Sequence, residues 1–168
     1  RRLSHMKRNT KGFTLIELLI VVAIIGIIVA IAIPNLLNAI QRAKQRRSMG
    51  DMRTTATAIE AYAVDLNRYP PAAAYTLPDT VIPDATLAGI SEYLSPTYIK
   101  QVPLADGWNS WFLANVDSSG SLYSLGSAGR DGKYTAKTGS LLGPTTDFNA
   151  DIVYVNGSFI QWPEGVQR

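Results

Sequence analysis

The sequence predicts an α+β fold, a long N-terminal helix packed on a small antiparallel sheet. Three observations carry this reading. Phe13–Ile33 is an apolar run of 21 residues with a single ionisable group, Glu17. Met49, Met52, Ala56, Ile59, Ala63 and Leu66 then recur at spacings of three and four, the stripe of a helix facing a core. Further on, strand-like runs come in pairs around Asp- and Asn-containing turns, the mark of hairpins.

Taken in order, the apolar run makes a helix of roughly 30 Å, enough to cross a bilayer. Pro34 lacks a backbone donor and is expected to kink the helix or melt it near Ile33, with Gly50 a second weak point. Residues 35–69 form the amphipathic half, its face widened by Tyr62. Asn67-Arg-Tyr-Pro-Pro71 stops the helix, because a residue before proline is pushed out of the α region. The remaining residues, 70–168, make a globular head. Ala72–Lys100 is rich in Pro, Thr and Ala, with a short helix expected around Leu87–Leu94. Trp111–Val116 and Leu122–Leu125 flank Asp117-Ser-Ser-Gly120. Ile152–Val155 and Ser158–Trp162 flank Asn156-Gly157, whose type I′ turn needs positive φ at both positions. Gly126–Asn149 shows no periodicity, and there is no internal repeat.

The bulk charge of +3 hides an uneven distribution. Arg42, Lys44, Arg46, Arg47 and Arg53 crowd the stretch after the apolar run, whereas from Thr54 onward there are 6 basic and 11 acidic residues. A basic neck thus precedes an acidic head. Such a neck suits anionic lipid or nucleic acid, but a solvated or subunit-facing surface is the simpler reading, and nucleic acid is disfavoured. With no cysteine, neither a disulfide framework nor a thiol nucleophile is available. The sole histidine, His5, lies before the apolar run. Gly-Arg-Asp-Gly132 lacks the Gly-Lys-Ser/Thr of a phosphate loop, and nothing pairs two carboxylates for acid–base work. An enzyme is not expected.

Glu17 poses the sharpest question, since a carboxylate inside such a span is costly in lipid unless a cation meets it. The basic residues Lys7, Arg8 and Lys11 stand just before the run, followed by Gly12. A secretory signal has a shorter apolar stretch and a small-residue cleavage site after it, and neither is found here. Lys11-Gly-Phe-Thr-Leu-Ile-Glu17, with Ile33-Pro34-Asn35 in register, resembles the N-terminus of the type IV pilin family, which includes the pseudopilins of type II secretion.

That resemblance implies cleavage by a prepilin peptidase between Gly12 and Phe13, with methylation of the new Phe13 amine. Residues 1–12 would be the leader, with translation starting at Met6 and Arg1–His5 lying upstream. Residues 13–34 would be the transmembrane and assembly helix, with Phe13, Glu17 and Pro34 as its assembly residues. Glu17 would pair with the Phe13 amine of a neighbouring subunit in a helical filament; the plain alternative is a snorkelling or protonated carboxylate in an ordinary anchor. Leu15, Leu18, Leu19, Val22, Ile25, Ile28, Val29 and Ala32 face lipid in one reading and a filament core in the other. The implied partners are further copies of the chain, prepilin peptidase, an inner-membrane assembly platform with its ATPase, and minor pilins or pseudopilins. The implied location is the bacterial inner membrane, single-pass, N-terminus cytoplasmic, with the head periplasmic or in an extracellular filament.

The head has its own, weaker resemblance, to the major pseudopilin of type II secretion. It rests on Ile59-Glu-Ala-Tyr-Ala-Val-Asp-Leu-Asn-Arg-Tyr-Pro70, Tyr98-Ile99, Val102-Pro103, Asp106-Gly-Trp108, Tyr123–Gly132, Asp151-Ile152 and Trp162. Two departures stand out: Gly107 where the family usually has proline, and a long loop from Gly132 to Asp147. Many pilins staple their C-terminal region with a disulfide, which this chain cannot form. The resemblance implies Ca²⁺ in the Ser124–Gly132 region, with Asp131, Asp151 and the Leu125 carbonyl as ligands. Calcium takes six to eight oxygens, and the competing reading is a surface loop of turn-forming residues. The aromatic residues suit core packing better than a binding face. The expected function is a structural filament subunit, pseudopilus first and type IV pilus second, with a single-pass anchored ligand-binding protein as the reading from another class.

Overall fold

The computed structural model describes residues 12–71, 85–135 and 143–165. Helix α1 spans Leu15–Leu66, and helix α2 spans Ala88–Leu94. The strands are β1 (Ala85–Thr86), β2 (Leu113–Val116), β3 (Tyr123–Ser127), β4 (Pro144–Thr145), β5 (Ile152–Val155) and β6 (Ser158–Pro163). They form one sheet in the order β1-β2-β3-β5-β6-β4, antiparallel except where β4 runs parallel to β6. The chain divides into two units, through Leu37 and from Asn38.

In the second unit the C-terminal part of α1 lies on the sheet. Met52, Ala56, Ile59 and Tyr62 are buried there, as the spacing predicts, and Met49 packs at their edge. Leu66 departs from that expectation: it is 52% exposed. It is the last helical residue, and Asn67 at φ 54° turns the chain away, a left-handed helix stop. The buried face also reaches further toward the N-terminus than apolar spacing alone shows, through Ser48 and Gln45.

Opposite the helix, Ala114, Leu125 and Tyr154 stand in register across β2, β3 and β5 and join the same core. Rings continue it. Tyr69 meets Tyr123 edge-on, as Tyr154 meets Phe159, while Tyr62 contacts both Tyr93 and Tyr98. The aromatic residues are thus largely packing elements, although Trp111 stays exposed.

Both expected hairpins form. β2 and β3 are joined through the Asp117–Gly120 turn, and β5 and β6 through Asn156-Gly157, where φ is +41° and +93°. Glycine at 157 meets the second positive φ without strain. Strands β1 and β4, two residues each, have no sequence signature; each exists only because a neighbour supplies its partners.

Local melting at Pro34 is not observed: α1 is helical without interruption through both Pro34 and Gly50. Proline there deletes one backbone bond, while the Leu, Ala and Gln residues that follow are good helix formers.

Candidate functional site

The expected processing point lies open. Gly12 and Phe13 precede α1 outside any helix or strand, nothing stands within 4 Å of a Cβ built on Gly12, and Phe13 is 73% exposed. An exposed Gly–Phe bond outside regular secondary structure is open to a peptidase. Helix formation two residues later has a local cause. The Thr14 N–H and hydroxyl donate to Glu17 Oε2 at 2.8 and 2.7 Å, and the Glu17 N–H donates back to the Thr14 hydroxyl at 3.3 Å. This is a capping box, which satisfies the helix's first orphan donors and puts a carboxylate at its positive end. The Thr14-x-x-Glu17 spacing is itself the sequence signature of this cap. Glu17 thus has a partner within the single chain, yet its Oε1 accepts no hydrogen bond among the described residues.

Beyond the cap, the side chains from Leu15 to Ile33 are exposed throughout. Among the described residues α1 is the one helix long and apolar enough to cross a membrane. Pro34 follows within the same helix. An apolar surface of this kind needs lipid or other helices around it.

The neck is tied to the head by the Asp106–Ser110 turn. Asp106, buried, accepts from the Trp108 and Ser110 amides at 2.9 Å each and from the Ser127 hydroxyl at 2.6 Å. The turn so held presents the Gly107 amide to the Ser48 hydroxyl at 2.9 Å and the Trp108 indole N–H to Gln41 Oε1 at 2.6 Å. Ser48 in turn donates to the Lys44 carbonyl at 3.0 Å. A Cβ on Gly107 would fall 2.4 Å from the Lys44 carbonyl oxygen, so this contact explains the glycine. Gln41 and Ser48 have no signal in the sequence, because polar residues on an amphipathic helix read as solvent-facing, and Asp106 enters there only through the resemblance of the head.

The three expected metal ligands are distributed as follows. Leu125 lies inside β3, paired on both sides. Asp131 is exposed, and its Oδ1 accepts from the Lys133 amide at 2.9 Å. Asp151 is 1% exposed, and its Oδ2 accepts from the Thr135 amide and hydroxyl at 2.7 and 3.1 Å. Burial, and then the charge of Asp151, push the Tyr134 phenol well above its usual range. A buried carboxylate suits calcium, but among the described residues no three acidic side chains gather to hold a metal. Residues 136–142 of the same loop lie outside the described residues.

Residues 7–33 match the prokaryotic N-terminal methylation motif, and residues 35–141 match the family described as type II secretion system (T2SS), protein G. The chain is similar to type II secretion system core protein G of Escherichia coli K12, with 32% identity over 125 residues covering 73% of this chain and 83% of that protein. The core protein G of Aeromonas hydrophila is 32% identical over 105 residues, covering 62% of this chain and 71% of that protein. A shorter likeness, 55% over 60 residues, links it to the type IV major fimbrial protein FimA of Dichelobacter nodosus, covering 36% of this chain and 38% of that protein. No solved structure matches the chain. The methylation motif and the head domain that follows it together show that the chain belongs to the protein G family of the type II secretion system.

Proposed function

We propose that the chain is a structural subunit of a membrane-anchored helical filament, the pseudopilus of type II protein secretion, and performs no catalysis of its own. The observation that carries this is the methylation motif at residues 7–33 running directly into the protein G domain at 35–141. Prepilin peptidase cuts after Gly12 and methylates Phe13, and the exposed Leu15–Ile33 surface passes from bilayer to filament core. Glu17 Oε1, left open by the capping box, accepts the Phe13 amine of a neighbouring subunit. Pairing of this kind neutralises a carboxylate in an apolar interior and sets the register between subunits. The head lies on the periplasmic side of the inner membrane. Assembly draws on a membrane platform with its cytoplasmic ATPase and on minor pseudopilins.

A type IV pilus subunit is the second reading, favoured by the 55% identity to FimA. It covers only 36% of the chain, whereas the likeness to core protein G takes in 73%. Calcium on the loop of Asp131 and Asp151, with the Leu125 carbonyl, is the cofactor side of the proposal and is supported by the buried Asp151 carboxylate.

The deciding experiment is mass spectrometry of the N-terminal peptide, from protein extracted from membranes of a host with an active prepilin peptidase. A chain beginning at N-methylated Phe13 is expected. An unprocessed Gly12–Phe13 bond, in a host that processes another substrate, overturns the proposal.

A further inference from the structure

We propose that the neck of α1 is a binding site for the headgroups of anionic phospholipids, holding the unassembled subunit against the leaflet on the head's side. The inference rests on the reading that the preceding apolar segment enters a bilayer, and it assigns a ligand class to residues that this reading leaves unused.

Five basic side chains occupy Arg42 to Arg53, against one acidic residue, Asp51. At about 100° per residue, Arg42, Arg46 and Arg53 fall within about 40° of one another around the helix. Gln45, Ser48 and Met52, which are buried against the head, lie about a third of a turn away. On this arc Arg46 and Arg53 are exposed and Arg42 is half-buried. Arg47 lies 3.5 Å from Asp51, and this is the one ion pair among the described residues. Arg42, Lys44, Arg46 and Arg53 face no carboxylate, and Arg53 sits over the Phe159 ring. Four uncompensated cations on one short stretch favour an anionic partner from outside the chain.

Their position along the chain selects lipid over other anions. Exposed apolar side chains continue past Pro34 through Leu36, Leu37 and Ile40, so the basic cluster begins two residues after the last of them. The 28 residues from Phe13 to Ile40 would cover about 42 Å as helix, close to the full thickness of a bilayer with its headgroup layers. Arg42 to Arg47 then meet the phosphates. Guanidinium groups bind phosphate oxygens in pairs of parallel hydrogen bonds, and each basic residue near an anionic surface strengthens association about fivefold.

The chain has no cysteine, so Ala43→Cys, an exposed position inside the cluster, gives a unique attachment point for a fluorophore. The full chain is reconstituted into vesicles of phosphatidylcholine alone, or with about a quarter phosphatidylglycerol, each containing a headgroup-nitroxide lipid as quencher. Insertion is checked in both by flotation. Quenching is expected to rise about twofold or more with phosphatidylglycerol, and to fall back to the neutral-lipid level at about 0.5 M salt, where screening reaches only a few Å. It is also expected to fall back in an R42Q/K44Q/R46Q variant whose helicity is unchanged. Equal quenching in inserted protein with and without phosphatidylglycerol overturns the proposal. So does shielding of the label that tracks protein density regardless of lipid charge, since that outcome assigns the neck to the acidic head of a second copy. A chain that fails to float with either vesicle fails the underlying membrane reading instead.

Discussion

The indole N–H of Trp108 donates to Gln41 Oε1 at 2.6 Å, a bond that joins the head to the helix 67 residues earlier in the chain. Beside it, Gly107 lies against the Lys44 backbone so closely that no Cβ fits. Gly107→Ala is therefore expected to cost about 1–3 kcal/mol, the range for forcing a methyl into a packed contact. Asp106→Ala should cost about 3 kcal/mol by leaving the amides of the turn without their charged acceptor. Urea unfolding of the full chain in detergent measures both; a Gly107→Ala midpoint equal to wild type would show that the turn is not held against Lys44.

Thr14 and Glu17 allow the cap to be separated from assembly. Glu17→Ala removes both capping box and carboxylate, and is expected to be cleaved normally yet to yield few filaments. Thr14→Val removes most of the cap, about 1 kcal/mol of helix stability, but keeps the carboxylate, and should still assemble. Equal loss of filaments from both variants would mean that Glu17 serves the helix start and not a neighbouring amine.

A bulky residue at Gly12 should block the peptidase without disturbing the helix, since a Cβ added there meets nothing within 4 Å. Gly12→Leu is expected to accumulate as full-length precursor in the membrane fraction, seen as slower migration on a gel. Processing at the wild-type rate would move the cleavage point elsewhere.

Asp117 supplies a pH signature. Burial pushes its carboxyl up, but the Ser119 hydroxyl, the Leu122 and Ser121 amides and the Ser121 hydroxyl together outweigh this and hold it down to about 2. A carboxyl depressed on folding adds stability that is fully present above its unfolded value of 3.8 and is lost as pH falls toward about 2. Solvent around the turn keeps the effect modest. Thermal unfolding followed from pH 5 to pH 2 should fall less steeply below pH 4 for Asp117→Ala than for wild type; parallel curves would remove Asp117 from the acid response.

Calcium, if held by the loop, makes the melting temperature depend on the ion. At about a hundred times its Kd a single site adds about 2.7 kcal/mol, or about 5–10 °C for a chain of this size. Asp151→Asn should abolish the response while keeping an acceptor for Thr135. A wild-type melting curve unchanged by millimolar calcium, with chelator as the reference, rejects the ion.

What the sequence determined by itself is whatever depends on local pattern. The apolar run, the glycine before Phe13, the 3- and 4-residue stripe that starts at Met49, save for its last member Leu66, and the two hairpin turns each state their outcome within a few neighbouring residues. Even the capping box was there to be read. The tertiary structure alone decided where polar residues are buried. Ser48, Gln45 and Asp106 look solvent-facing in sequence, yet their hydrogen-bonding partners or buried surroundings come from residues far along the chain. The two-residue strands β1 and β4 are the same case, because backbone groups at a sheet edge become a strand only when another strand lies beside them. Gly107 combines both lessons: its identity was visible as a departure from the family, but the reason for it is the Lys44 carbonyl, 63 residues away in the chain and touching in space.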